Sequence, residues 1–421
     1  MLSIKTILYL LVLCFSLLGS VVYSPFLGIL GYLVTYNINP AGQWWGSNLA
    51  DWGVRYSLFL GFATGLGVLL HRSRVRFKSF FEAQEILLII FVGLVWLSIL
   101  LGFGFNEEET NALKMTKVMI ILLMAGLVIT DLKKYEMMIW ALIIAGLYLG
   151  VEAFNAPDWM FAGGRLDRGM GGSDFAEGNF LGAHFAMLLP FIGVMFLKGD
   201  WKRRIVCLIS GVFVTNSIIL CRSRGVFLAI IAGMLTAILF AIPGKRLKIV
   251  SGMSILILGS LFLTDRGFWS RMGEIEYSES QMDLSSRGRL QAWEAALSMT
   301  VDHPLGVGEA NFAKVVGSYS KSMAGRDTHN TYLRCIAELG IIGFIIFLLL
   351  IMNAFRTLSK IRKEAEILPN GKDFLWHVYA TRVALVIYLV CGMTMTHTYI
   401  EELYWLFFFP IFLKRSVKNR S

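Results

Sequence analysis

Apolar runs of about 18 residues or more recur along the whole chain, and no other feature narrows its fold as much. A helix needs roughly 20 apolar residues to cross the hydrocarbon core of a bilayer. Of the 421 residues, 56% are hydrophobic and 16% charged, and the mean hydropathy is +0.64. That balance excludes an ordinary soluble domain. The runs are continuous rather than alternating at every second residue, which excludes a transmembrane β-barrel. The expected fold is all-α: a polytopic helical membrane protein forming a single transmembrane domain over residues 1–421.

Twelve spans are expected, near 3–37 (broken), 54–70, 82–104, 112–131, 135–154, 176–197, 204–221, 224–242, 247–264, 335–356, 375–396 and 402–414. The first, "TILYLLVLCFSLLGSVVY", lacks a cleavage site followed by a soluble domain and reads as a retained span. Residues 3–37 are too long for one straight span and contain Ser24-Pro25. They read as a kinked span or a re-entrant hairpin. A single kinked crossing gives a count of 12 with both termini inside.

The formal charge of +10 does not point to nucleic acid, because most Lys and Arg lie in short loops. "HRSRVRFK" (71–78), "KK" (133–134), "KGDWKRR" (198–204), "GKRLK" (244–248), "RTLSKIRK" (356–363) and "KRSVKNR" (414–420) are basic and mark the cytoplasmic side. "NEEET" (106–110), the smaller loop 155–175, the large loop 265–334 and "HTYIEE" (397–402) belong outside. Only 265–334 is large enough to fold. Within it Leu290, Trp293, Leu297 and Val301 recur at helical spacing, so an amphipathic helix is expected there, stopped at His303-Pro304. The five cysteines have no metal or disulfide spacing and read as small packing residues.

Ionisable residues at the outer ends of spans are costly and mark candidate sites. His329-Asn330 stands where a helix begins, with Thr328 or Asp327 as the expected cap. The positive helix end disfavours an imidazolium there, and a neutral imidazole can act as a general base. The plain alternative is a wetted cap-region histidine. Arg222 and Arg224, in "CRSRG", lie at outer span ends where the positive-inside rule expects few cations. They suit a phosphate or diphosphate, or else snorkel to headgroups. Arg287 and Arg289 lie on the amphipathic helix, and the alternative for them is a solvated face. "GGRLDRGMGGSDFAEGN" (163–179) offers Arg165 and Arg168 on a glycine-rich loop. His184 and His397 read as buried, hydrogen-bonded core residues, and Glu401 and Glu402 as partners of an outer arginine. No HExxH, CxxC or GxSxG pattern is present.

Together these residues put arginines and a histidine on the outer face of a helical bundle, a set suited to a lipid-diphosphate sugar donor. The sequence also resembles the O-antigen ligase and O-antigen polymerase-like superfamily of bacterial inner-membrane glycan transferases. The resemblance is carried by His329-Asn330, then nine residues, Gly340 and Gly343. "SRGVFLAII" (223–231), "RLQAWEAALSMTVDHPLGVGEANF" (289–312) and "GNFLGAHFAMLLP" (178–190) follow the family's order. It covers residues 176–356.

The resemblance implies His329 as catalytic base, and Arg224 and Arg289 as ligands of an undecaprenyl-diphosphate-linked glycan. Arg222 and Arg287 are the neighbours that share that role, and Asn330, Tyr332, Arg165 and Arg168 support the site. It implies a direct, inverting displacement without ATP or a metal cofactor. The acceptor it implies is the lipid A core, a growing lipid-linked chain or a protein side chain, and the histidine motif favours the ligase. A lipid-linked glycan transporter is the reading from another class. The large outer loop bearing the histidine and the lack of an inverted repeat speak against it.

Overall fold

The computed structural model describes residues 3–74, 81–104, 111–273, 284–369 and 371–419. The expected acidic loop 106–110, part of the basic loop 71–78 and most of the acidic start of the 265–334 segment lie outside the described residues. The chain begins with α1 (Ile4–Val22), α2 (Pro25–Asn37), α3 (Ser47–Asp51) and α4 (Tyr56–Leu70). There follow α5 (Ala83–Leu101), α6 (Asn111–Val128) and α7 (Leu132–Phe154), then a two-stranded hairpin of β1 (Phe161–Ala162) and β2 (Arg165–Leu166). Next come α8 (Gly178–Lys198), α9 (Trp201–Cys221), α10 (Arg224–Leu239) and α11 (Arg246–Leu261). The expected outer loop holds α12 (Arg266–Gly273), α13 (Leu284–Asp302) and α14 (Phe312–Tyr319). The chain closes with α15 (Thr331–Glu366), α16 (Gly371–Cys391) and α17 (Glu401–Lys418).

By length and composition eight of the described helices can cross a membrane: α1, α5, α6, α7, α8, α9, α15 and α16. The number is nine if α11 and α12, which meet at a 111° bend, count as one span. α4 and α10 are apolar but shorter. The protein is thus an all-α polytopic membrane protein, and helix length alone does not fix the expected count of 12.

α1 shows why the bundle suits lipid. Ile4, Leu8, Leu11, Phe15, Leu18 and Val22 are exposed along one face, while Thr6, Tyr9, Ser16 and Ser20 turn inward. Large side chains face outward and small polar ones pack between helices, as lipid solvation allows. A methyl group on Gly28 would lie 2.5 Å from the Ser20 hydroxyl, and one on Gly31 would lie 2.4 Å from Ser16 Cβ. The Tyr9 and Thr35 hydroxyls are 3.2 Å apart. These contacts run in opposite chain directions, so residues 3–37 form an antiparallel helical hairpin. Pro25 starts α2, and Ser24 accepts the Phe26 N–H.

The hairpin corrects the expected single kinked crossing. Lys5 at the start of α1 pairs with Glu152 near the end of α7, and Trp44 Nε1 donates to the same carboxylate at 2.9 Å. Lys414 and Lys418 of α17 instead pair with Glu82. The start of α1 and the end of α17 therefore lie at opposite ends of the bundle, not both on one side.

α17 is buried along nearly its whole length, which makes it the central helix. Of the cysteines, Cys207, Cys221, Cys335 and Cys391 are buried as expected of packing residues, whereas Cys14 is exposed.

Candidate functional site

His329 stands just outside α15 in a left-handed backbone conformation, with φ of 47°, which is unfavourable for a residue with a Cβ. This twist makes Asn330 the cap. Its Oδ1 accepts the N–H groups of Tyr332 (3.0 Å) and Leu333 (3.1 Å). The expected caps are otherwise engaged. Thr328 Oγ1 accepts the Asn330 N–H at 3.1 Å and donates to the Asn330 carbonyl at 3.0 Å. The Asp327 carboxylate accepts from Arg334 Nη1 at 3.0 Å, from the Thr396 hydroxyl and from the His329 N–H at 3.2 Å. Burial acts to raise the Asp327 carboxyl pKa, but Arg334, Thr396 and His329 outweigh it and hold the group below its usual value. The His329 side chain is 50% exposed, with Nδ1 3.9 Å from Asp327 Oδ2.

The turn rests on the 392–398 segment between α16 and α17. Thr331 N–H donates to the Gly392 carbonyl (2.8 Å), and Asn330 Nδ2 to the Met393 carbonyl (3.2 Å). Thr331 Oγ1 donates to the Met395 carbonyl and accepts the His397 N–H, both at 2.8 Å. From the other side, Trp293 Nε1 of α13 donates to the Thr328 carbonyl at 3.0 Å.

α13 packs through a face other than the expected one. Leu290, Leu297 and Val301 are exposed, whereas Ala292, Ala295, Ala296 and Met299 are buried with Ala337 of α15. Alanines permit a close approach that leucines would block. Trp293 alone of the expected stripe is half-buried.

The Gly340 of the sequence motif marks a break in α15, with φ of 68° and ψ of −175°. A methyl group there would lie 2.4 Å from the Leu305 carbonyl carbon. The "PLGVGEANF" turn fills the break. Val307 N–H donates to the Ala337 carbonyl (2.9 Å), Gly308 N–H to the Glu338 carbonyl (3.0 Å) and Ile341 N–H to the Pro304 carbonyl (2.9 Å). Below it, Glu338 is fully buried and accepts from Arg334 Nε (3.0 Å), Tyr399 (2.8 Å) and the Phe312 N–H (3.2 Å).

The arginine pair sits on the sharp elbow between α9 and α10. Arg222 is left-handed, with φ of 43°, and its guanidinium pairs with Asp265. α12 clasps the elbow: Arg271 Nε donates to the Arg222 carbonyl at 3.0 Å, and Arg224 Nε to the Arg271 carbonyl at 2.8 Å. Gly225, the next residue, is pressed on Thr394, where a methyl would lie 2.0 Å from Oγ1. Thr394 follows Met393, which receives the Asn330 amide. The elbow and the His329 turn therefore meet on one short segment.

The other expected residues divide. Gly163 and Gly164, both at positive φ, make the tight turn of the β1–β2 hairpin. Gly164 lies against the Arg222 guanidinium, so Arg165 is beside the elbow, paired with Asp167. Arg289 is half-buried one turn before Trp293, and Arg287 is exposed. Arg168 stacks on Trp159 at 5.6 Å. Tyr332 faces inward and donates to the Leu389 carbonyl at 2.8 Å.

Under the segment lies a buried polar floor. Glu402 pairs with His184, and Glu401 accepts from Tyr32 (3.0 Å) and Trp405 (2.9 Å). These partners replace the outer arginine expected for the two glutamates. Asp174 accepts from Lys114, Tyr36 and the Glu401 N–H. His184 is thus a paired core residue. His397 is instead held by stacking on Tyr388 at 4.4 Å, with neither ring nitrogen hydrogen-bonded. Burial pushes its pKa down to about 3, against the pull of Asp174.

Asp327 was expected only as a cap, and Thr396, Arg334, Glu338, Tyr399 and Arg271 were not among the residues expected at the site. The one visible signal was the Arg334–Glu338 spacing of four on an otherwise apolar helix.

No curated protein matches the chain. The family model described as O-antigen ligase matches residues 205–348. The matched stretch runs from α9 through the arginine elbow, α13, the His329 turn and the Gly340 break. Over that stretch the chain is similar to the O-antigen ligase family.

Proposed function

We propose that the protein transfers a glycan from an undecaprenyl-diphosphate donor to an acceptor hydroxyl of the lipid A core or a similar glycan. The site faces the periplasm of a bacterial inner membrane. The basic loops at the opposite end of the bundle support this orientation. One observation carries the reading: the half-exposed His329 turn and the Arg222–Arg224 elbow are fastened to the same 392–396 segment.

His329 accepts the proton of the acceptor hydroxyl as it attacks the anomeric carbon. Arg224 and Arg289, with Arg222 and Arg287 beside them, bind the diphosphate and stabilise the charge that develops as it leaves. Arg165, Asn330 and the Tyr332 turn keep these groups in place, and Arg168 supports the loop that carries Arg165. The attack displaces the diphosphate directly, so the sugar carbon inverts, and the arginines supply the positive charge that the leaving group needs.

The test supplies the purified protein, in nanodiscs, with an undecaprenyl-diphosphate oligosaccharide, with and without lipid A core. Donor consumption only with core supports the ligase. Longer lipid-linked chains from donor alone identify a polymerase using the same site. An intact donor in every lane, including one with a protein acceptor, overturns transfer in favour of lipid-linked glycan movement.

A further inference from the structure

We propose that Asp327 is the positioning residue for His329. Its carboxylate receives Nδ1–H of the imidazole, leaving Nε2 to face the acceptor hydroxyl. The proposal rests on the reading of His329 as the base.

The geometry is asymmetric in a telling way. Asp327 Oδ2 accepts the backbone N–H of His329 at 3.2 Å and stands 3.9 Å from its Nδ1. A small side-chain rotation closes that gap, and catalytic hydrogen bonds tighten in this manner when substrate binds. The carboxylate itself has little freedom. Arg334 of α15 holds one oxygen at 3.0 Å, and Thr396 of the 392–398 segment holds the other. The acid is therefore rigid while the half-exposed base moves, the division of labour expected when a third group orients a base.

Other charged groups near the turn are committed elsewhere. On α15, Arg334 is shared between Asp327 and Glu338, and Glu338 is shared with Tyr399. The 392–398 segment has one titratable residue, His397, buried and stacked on Tyr388. α13 contributes Trp293, which donates to the Thr328 carbonyl, and Arg289 one turn earlier. Among the described residues Asp327 is the one acid within ion-pair distance of His329.

The left-handed backbone gives the pairing a second purpose. A non-glycine residue at positive φ costs on the order of 1 kcal/mol or more. The bond from the His329 N–H to Asp327 helps to hold it. Carboxylate and imidazole thus share one strained turn.

The test compares wild type, Asp327→Asn and Asp327→Glu as full chains in nanodiscs. Turnover is measured against pH, and the His329 ring is followed by 15N-histidine spectra, assigned by its loss in His329→Gln. The carboxylate accepts Nδ1–H, so removing its charge removes what fixes the ring's tautomer. The ring's 15N shifts are expected to lose the Nδ1–H signature in Asp327→Asn. Turnover at neutral pH falls on the order of tenfold as orientation is lost, and Asp327→Glu recovers part of it. Equal loss at every pH, with an unmoved ring signal, would overturn the proposal and leave Asp327 a structural residue. A shifted ring signal with unchanged turnover supports the pairing and sinks the reading of His329 as base.

Discussion

The two ends of the bundle treat charge differently. At the basic end Arg415 meets Glu85 through two bonds of 2.8 and 2.9 Å, and both side chains are almost wholly buried. Lys198 and His377 likewise close on Glu136 at 2.6 and 2.9 Å. At the other end Asp327 and His329 are 29% and 50% exposed and sit 3.9 Å apart. A closed buried pair holds helices in register and does little else. An open pair at the surface of a rigid frame keeps a group available for chemistry.

That contrast can be broken by mutation. The largest effect is expected for His329→Ala, which should reduce glycan transfer by on the order of 10²–10⁴-fold, the usual worth of a general base. Because the side chain is half exposed, the variant should melt in detergent as the wild type does; near-normal turnover would end its role in proton transfer. Glu85→Ala should do the reverse. Taking the Glu85 carboxylate away from buried Arg415 costs roughly 3–5 kcal/mol, seen as a lowered thermal midpoint, while whatever protein stays folded turns over normally. A turnover defect at unchanged melting would mean that the basic end is not merely structural.

Smaller effects sharpen the picture of the frame. Gly340→Ala forces a side chain into a left-handed backbone against Leu305, at a cost of about 1–3 kcal/mol. Proteolysis of the 304–312 turn should rise in step, and an unchanged cleavage rate would show that the turn does not depend on the break. Arg224→Ala and Arg289→Ala should raise the donor KM more than they lower kcat, by roughly tenfold for a lost charge-assisted bond. Lysine should restore only part of this, because the bidentate fork is gone; full restoration would reduce the arginines to simple charge. Trp293→Phe removes one bond to the Thr328 carbonyl, worth about 1 kcal/mol. A fewfold loss of turnover is expected, and no loss would make α13 dispensable for holding the turn.

Much of this was legible in residue order, and the limits are instructive. Apolar runs gave the helices, because crossing lipid demands long segments whose backbone bonds close internally. The motif glycine was visible as a glycine, yet its task, admitting the "PLGVG" turn into α15, was not, since the turn's partner lies over thirty residues away. The face of α13 was misread for a related reason. Leucines at helical spacing signal burial against water, but beside a membrane protein's small-residue interfaces the alanines pack and the leucines remain outside.

The sequence by itself determined the all-α membrane architecture, the order of the motifs, and the residue types that suit a diphosphate and a hydroxyl. Those depend on local periodicity and on side-chain chemistry. Only the tertiary structure decided that residues 3–37 form a hairpin, that Asn330 caps α15, and that Asp327 faces His329. It also decided that the elbow at Arg224 and the turn at His329 share residues 392–396. The last joins segments far apart in the chain; the others are local, yet their geometry is set by packing that no local pattern encodes.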